Sequence, residues 1–442
     1  MSGERVKSSG TVAGASGGAG GASLSRRVIL ATQLVFNIGF YAVVPFLAVH
    51  MADDLALSSQ LIGVVLGVRT FCQQGLFFIG GLLAERLGSR WLLLAGCAVR
   101  FCGYAAFAFS ASFSGMLLGA CLTGAGGAMF SPCLEALAAE AERQTPAALR
   151  QHGIFALFAV CGEVGAVAGP LLGSALSGFG FRVMALACAM LFLIMMGVLY
   201  RSIPANMALP ERPVGWRGVM GNAPFLRFIL CYSAYLFSYN QMYFGLPLEL
   251  ERVGGGAREM AGLFMLASVM VIVMQMPLAG WCRKQPPRLP LVAGFSLFAV
   301  AFACVALAAL SPPSPPFNPA DAGWLRFAPI TAMVILLTLG QMLAVPTAMS
   351  LVPGYAGQGA LPAYYGALAS AGGCAVLLGN VLLGRMFDLA GASGAGIKLA
   401  VAAGGGDVGH AGRYALAWGV AALWPALAAA GFAGRFWKPP AV

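Results

Sequence analysis

The chain has 442 residues, of which 60% are hydrophobic and only 9% charged, with a formal net charge of +11. Soluble domains carry about 25% charged residues, so this composition leaves too little polar surface for water and points to a polytopic membrane protein. The positive excess does not read as a nucleic-acid surface, because Lys and Arg are scattered between apolar runs and form no basic face. Loop charges that set orientation in a bilayer explain them better. The eleven cysteines sit singly with no C-x-x-C pair, and the three histidines lack ligand spacing. No disulfide framework, metal site or cofactor is expected.

Residues 1–25 are rich in Gly, Ala and Ser and are expected to form a disordered cytoplasmic tail. Twelve apolar segments follow, at 27–51, 59–83, 91–111, 113–138, 152–176, 182–200, 227–248, 260–281, 289–310, 326–349, 362–386 and 412–434. Each is near the length of about 20 residues that a spanning helix needs. The polar stretch from Arg201 to Arg227 divides them six and six. This predicts an N-terminal six-helix half at 26–200, a cytoplasmic linker at 201–227, a C-terminal six-helix half at 228–434 and a tail at 435–442. With the N-terminus inside, the internal loops hold most of the basic residues, including Arg86, Arg90, Arg143, Arg150, Arg212, Arg283 and Lys284. The opposite loops hold fewer, chiefly Arg182, Arg252, Arg258, Lys398 and Arg413. Both termini are therefore expected in the cytoplasm. The proline-rich stretch from Ser311 to Pro319 reads as a stiff external connection.

In the first span Gln33, Asn37 and Tyr41 recur every four residues as a polar stripe, which suits a cavity wall or bonding between helices. Arg69 lies near the centre of the second span, where a charge is costly and suggests function. The loop after it carries Gly81, Glu85, Arg86, Gly88 and Arg90. Its charges suit a two-state latch at the membrane surface, or simply fix topology. Glu135, after Ser131 and Pro132, reads as a solvated charge at the end of the fourth span.

The fifth span is the most informative. Gly165, Gly169 and Gly173 form one small-residue face, Pro170 interrupts the backbone, and Glu163 lies at membrane depth. The segment reads as a moving joint beside a polar site. At 3.6 residues per turn, Glu163 stands about 160° from Gly165, about 120° from Gly169 and about 80° from Gly173, so the glycines pack on a helix while the carboxylate points elsewhere. Glu163 is the candidate proton carrier and Arg69 a second coupling candidate; a permanent structural ion pair or a hydrogen-bonded buried acid is the competing reading. In the seventh span Tyr232, Tyr235, Tyr239 and Tyr243 share a helical face. Tyrosine offers an apolar body, a π-face and a hydroxyl, which suits varied lipophilic or cationic compounds; helix packing or interface anchoring is the competing reading. Gln341 in the tenth span and Asn380 in the eleventh are weaker candidates.

The Gly81–Arg90 loop resembles the G-x-L-a-D-r-x-G-r-k signature of the major facilitator superfamily, with Glu85 and Ser89 as departures. The fifth span is similar to that superfamily's antiporter signature, G-x-x-x-G-P-x-x-G-G, with Ser174 at the last position. Gly39 through Pro45 resembles the first span of twelve-helix drug:proton antiporters. Gly67 through Gly81, Arg100, and Gly366 through Asp388 look like the MdtH-type branch of multidrug exporters. One departure matters: Ala120 stands where many such antiporters carry an arginine four residues before Gly124.

The resemblance implies an all-α membrane protein of twelve transmembrane helices in two pseudo-symmetric six-helix halves. It implies a secondary transporter that exports small lipophilic or cationic compounds by alternating access in exchange for protons, as a monomer in the plasma membrane. The expected partners are a small-molecule substrate, the proton and the lipid bilayer. A carrier for one specific metabolite is the alternative. A membrane-embedded enzyme is disfavoured, because no G-x-S-x-G, H-E-x-x-H or paired intramembrane carboxylates are present.

Overall fold

The computed structural model describes residues 25–57, 59–144, 153–203, 215–310, 325–357, 361–389 and 408–440. Residues 1–24 of the expected tail, the 311–319 connection, and Arg150, Arg212 and Lys398 lie outside the described residues. Among the described residues every regular element is a helix.

The first seven are α1 (Arg26–Asp53), α2 (Ser59–Gln74), α3 (Phe77–Leu87), α4 (Ser89–Phe109), α5 (Phe113–Gln144), α6 (Ile154–Ser177) and α7 (Phe181–Ser202). A short α8 (Gly215–Gly221) lies in the linker. There follow α9 (Ala223–Asn240), α10 (Gly245–Arg252), α11 (Ala257–Cys282), α12 (Arg288–Leu310), α13 (Ala328–Ala356), α14 (Leu361–Leu389) and α15 (Val408–Ala433).

Among the described residues ten helices are long and apolar enough to cross a membrane, and α2 with α3 makes an eleventh crossing if the bent pair counts as one. Two expected spans are thus not single helices. The second bends by 42° between Gln74 and Phe77. A helix break frees backbone groups that lipid cannot satisfy. Here Ser370 of α14 closes the gap: its hydroxyl accepts the Phe78 N–H at 3.0 Å and donates to the Gln74 carbonyl at 3.3 Å.

The seventh span starts at Ala223, where Asn222 caps the helix by accepting the Phe225 N–H at 3.1 Å and Pro224 occupies the first turn. It ends at Asn240 and resumes at Gly245. An amide cluster covers this break. Gln241 donates to Asn380 at 3.1 Å, and Asn380 donates to Asn240 at 2.8 Å. Tyr243 therefore does not share one continuous helical face with Tyr232, Tyr235 and Tyr239, as the sequence pattern predicted. It lies in the turn, 52% exposed.

In the N-terminal half α1 packs on α6 and α7, and α4 on α5 and α7. In the C-terminal half α12 packs on α13 and α15, and α9 on α14 and α15. The halves meet along α3–α14 and α6–α11. At the end of the molecule that bears the α3–α4 loop they are clasped by side chains. Arg143 donates to the Gly357 carbonyl at 3.0 Å, and Arg283 pairs with Glu142 at 3.7 Å.

Candidate functional site

Between the halves lies a cavity of about 220 Å³ walled by α1, α5, α6 and α13. Helix α1 contributes Gln33, Asn37 and Tyr41, and α13 contributes Gln341 and Met349. On α6 the lining residues Phe155, Phe158, Ala159, Gly162, Glu163 and Ala166 recur at helical spacing, so one face of the helix forms the wall. Asn37 turns its amide onto its own helix, donating to the Gln33 carbonyl at 2.8 Å. The Gln341 Oε1 is buried and has no hydrogen-bond partner among the described residues.

The glycines continue this side of α6 along the helix: Gly165, Gly169 and Gly173 follow the lining residues Phe158, Gly162 and Ala166 by seven positions, a turn of about 20°. Gly165, Gly169 and Gly173 are buried against α1. A Cβ on Gly169 would stand 3.0 Å from the Ile38 carbonyl oxygen and from the Ala42 nitrogen. Pro170 is half-buried beside them. One helix therefore both packs tightly on α1 inside its own half and presents Glu163 to the cavity.

Glu163 Oε2 accepts the hydroxyl hydrogen of Ser268 on α11, in the other half, at 3.0 Å. The phenols of Tyr41, Tyr235, Tyr239 and Tyr243 lie within electrostatic reach of its carboxylate. Of the span-seven tyrosines, Tyr235, Tyr239 and Tyr243 thus gather near Glu163 and Tyr232 near Glu135, and none is among the residues lining the cavity. Tyr232 is 5% exposed, and the successive ring pairs from Tyr232 to Tyr243 lie 5.4, 6.1 and 6.3 Å apart. Arg69 is 7% exposed, with its guanidinium 4.5 Å from the Phe40 ring centroid. Among the described residues Arg69 and Glu163 form no ion pair. Both lie within electrostatic reach of the Tyr41 phenol.

The α3–α4 loop ties into the interface. Gly88 has φ 84°, a left-handed conformation that favours glycine. Glu85 is buried and accepts the Gly215 N–H at 3.0 Å, joining the loop to linker helix α8. Arg90 donates to the Tyr200 carbonyl at 3.1 Å, while Arg86 is exposed. A Cβ on Gly81 would stand 2.7 Å from the Pro362 carbonyl carbon and 2.8 Å from the Ala363 Cα, across the boundary between halves.

Two residues take places that their sequence positions did not suggest. Glu135 was expected to be a solvated charge at a helix end. Helix α5 instead continues to Gln144, and Glu135 lines the cavity. Glu163 is therefore not the only acid at depth. Arg100 is fully buried, with its guanidinium 3.9 Å from the Phe36 ring centroid and 5.3 Å from that of Phe192. It fits against Gly126 and Gly127 of α5, where a side chain would collide with it. No carboxylate pairs with it among the described residues. Positive charge thus enters the core of this half from α4, beside the helix that carries Ala120. The sequence signal for both residues was a lone charge in an apolar run with small neighbours.

The family model of the Major Facilitator Superfamily matches residues 29–380. An uncharacterised MFS-type transporter of Mycobacterium tuberculosis is 32% identical over 381 residues, covering 82% of this chain and 86% of that protein. The multidrug resistance protein MdtH of Salmonella typhi is 27% identical over 267 residues, covering 60% of this chain and 65% of MdtH. The crystal structure of the human organic anion transporter MFSD10 (TETRAN) shares the fold, with a TM-score of 0.65 at 17% identity over 91% of this chain and 98% of that one. The chain belongs to the major facilitator superfamily: it is a multi-pass membrane transporter of small molecules, not an enzyme.

Proposed function

We propose that this transporter exports small lipophilic or cationic compounds by alternating access, in exchange for protons. The observation that carries the reading is Glu163, held at the wall of the cavity between the halves and bonded across to Ser268. A carboxylate in that position is sensitive to both the proton and the conformation. Protonation removes its desolvation penalty, and separation of α6 from α11 removes its Ser268 partner. One group can therefore bias the two access states differently according to its proton. The similarity to a protein named for multidrug resistance supports the substrate range. Under this reading both termini are cytoplasmic, and the protein acts as a monomer in the plasma membrane.

The test is transport of a fluorescent dye in proteoliposomes, with and without an imposed pH gradient. Wild-type protein is expected to move the dye uphill only with the gradient. Glu163→Gln is expected to retain downhill exchange and lose uphill transport. A Glu163→Gln protein that pumps with wild-type pH dependence rules out the coupling role.

A further inference from the structure

We propose that Glu135 anchors the cationic group of the transported compound, and that this group is an ammonium carrying N–H bonds, while Glu163 takes the proton. The proposal rests on the cavity being the substrate site, as in the export reading above. The two carboxylates lie at nearly the same depth. The Ile154 N–H, at the start of α6, donates to the Glu142 carboxylate near the end of α5 at 3.1 Å, which sets those two helix ends level. Counting back to Glu135 and forward to Glu163 at 1.5 Å per residue gives rises of about 10 and about 14 Å.

Their surroundings differ. Glu163 already receives the Ser268 hydroxyl and has four phenols near it. Glu135 has the Tyr232 and Tyr365 phenols within electrostatic reach, but among the described residues it receives no hydrogen bond and forms no ion pair, and it opens into the cavity. No Lys or Arg lines that cavity. A carboxylate without a partner at this depth is costly, and a ligand cation is the group that relieves it.

Two further features define the ligand. Phe155 and Phe158 wall the same space and supply apolar contact and π-faces to a cation with an aromatic body. The Gln341 Oε1, buried and without a partner, is a waiting acceptor for an ammonium N–H. A quaternary ammonium cannot satisfy it. The cavity of about 220 Å³ lies below the about 300–1,000 Å³ of drug-sized pockets, so this state fits a small aryl-alkyl ammonium.

The experiment measures binding of three matched probes to the full-length protein in nanodiscs by calorimetry: phenethylammonium, neutral 2-phenylethanol and anionic 3-phenylpropanoate. Wild type is expected to prefer the cation to the alcohol at least tenfold and to bind the anion most weakly. Glu135→Gln is expected to lower the cation-to-alcohol ratio at least tenfold, and Glu135→Asp to restore most of it. Glu163→Gln is expected to change the ratio less than threefold.

Wild-type protein without a cation preference overturns the proposal, and this result does not depend on how any variant folds. So does a Glu135→Gln protein that keeps the ratio, or a Glu163→Gln protein that loses it to the same extent. If wild type pumps uphill while Glu135→Gln keeps the ratio, this inference alone fails. If the ratio depends on Glu135 but wild type does not pump, the export reading fails instead.

Discussion

The seam between α6 and α1 and the seam between α3 and α14 are both made by glycines pressed onto a neighbouring backbone. On the first, Gly165, Gly169 and Gly173 meet Leu34 through Phe46. On the second, Gly81 meets Pro362, and Gly366 meets Phe77. Close backbone approach gives van der Waals contact that lipid does not offer, and small residues permit it. The difference lies in what is joined. The first seam lies inside the N-terminal half, and under the proposed alternating access its partners stay together as the halves rock. The second joins one half to the other and is accompanied by polar bonds from Ser370, Arg143 and Arg283. Such bonds can be exchanged for water when a seam opens. A glycine stripe read from sequence therefore marks close packing; whether that packing opens depends on which helix lies opposite.

The sharpest way to break the comparison is to add bulk on each side. Gly81→Leu is expected to penalise the closed state by about 3 kcal/mol, which is roughly a hundredfold shift in population. Transport should fall by a similar factor while the thermal unfolding midpoint stays near wild type. Wild-type transport rates in proteoliposomes would show that this seam does not gate.

Gly169→Leu is expected to do the reverse. Overpacking costs about 1–3 kcal/mol of stability, visible as a lower unfolding midpoint and lower folded yield. The protein that does fold should keep its balance between access states. A Gly169→Leu protein with normal stability but altered state balance would make this seam a joint after all.

The smallest effect is expected from Ser370→Ala. It leaves the backbone break between α2 and α3 without the partner on α14, at a cost of about 1 kcal/mol. Distances between spin labels on α3 and α14 should report a shift of about fivefold away from the closed state. An unchanged distance distribution would place the Ser370 bonds outside the switching step.

Much of the fold was legible in the sequence. Hydropathy placed most of the apolar segments to within a few residues, because a helix in lipid must satisfy its backbone locally and cover itself with apolar side chains; α5 and α13 run six and seven residues past their expected ends, and α9 stops eight short of its own. The two broken spans were not visible, since Gly75 and the Asn240–Gln241 pair are tolerable in a helix until a partner rewards the break. Those partners, Ser370 and Asn380, lie far along the chain.

The site divides along the same line. Helical periodicity turned Glu163 away from the glycine stripe of α6, by about 160° at Gly165 and about 80° at Gly173, and it put Gln33, Asn37 and Tyr41 on one face of α1. Periodicity is a property of a single helix, so the sequence alone determines it. Only the tertiary structure decided that Glu135 lines the cavity, that Arg69 stacks on Phe40 and does not pair with Glu163, and that Arg100 is buried against α5 glycines. It alone decided that Ser268 meets Glu163. The physical reason is that a charge at membrane depth takes its meaning from its neighbours, and here those neighbours come from other helices and, for Glu163, from the other half of the molecule.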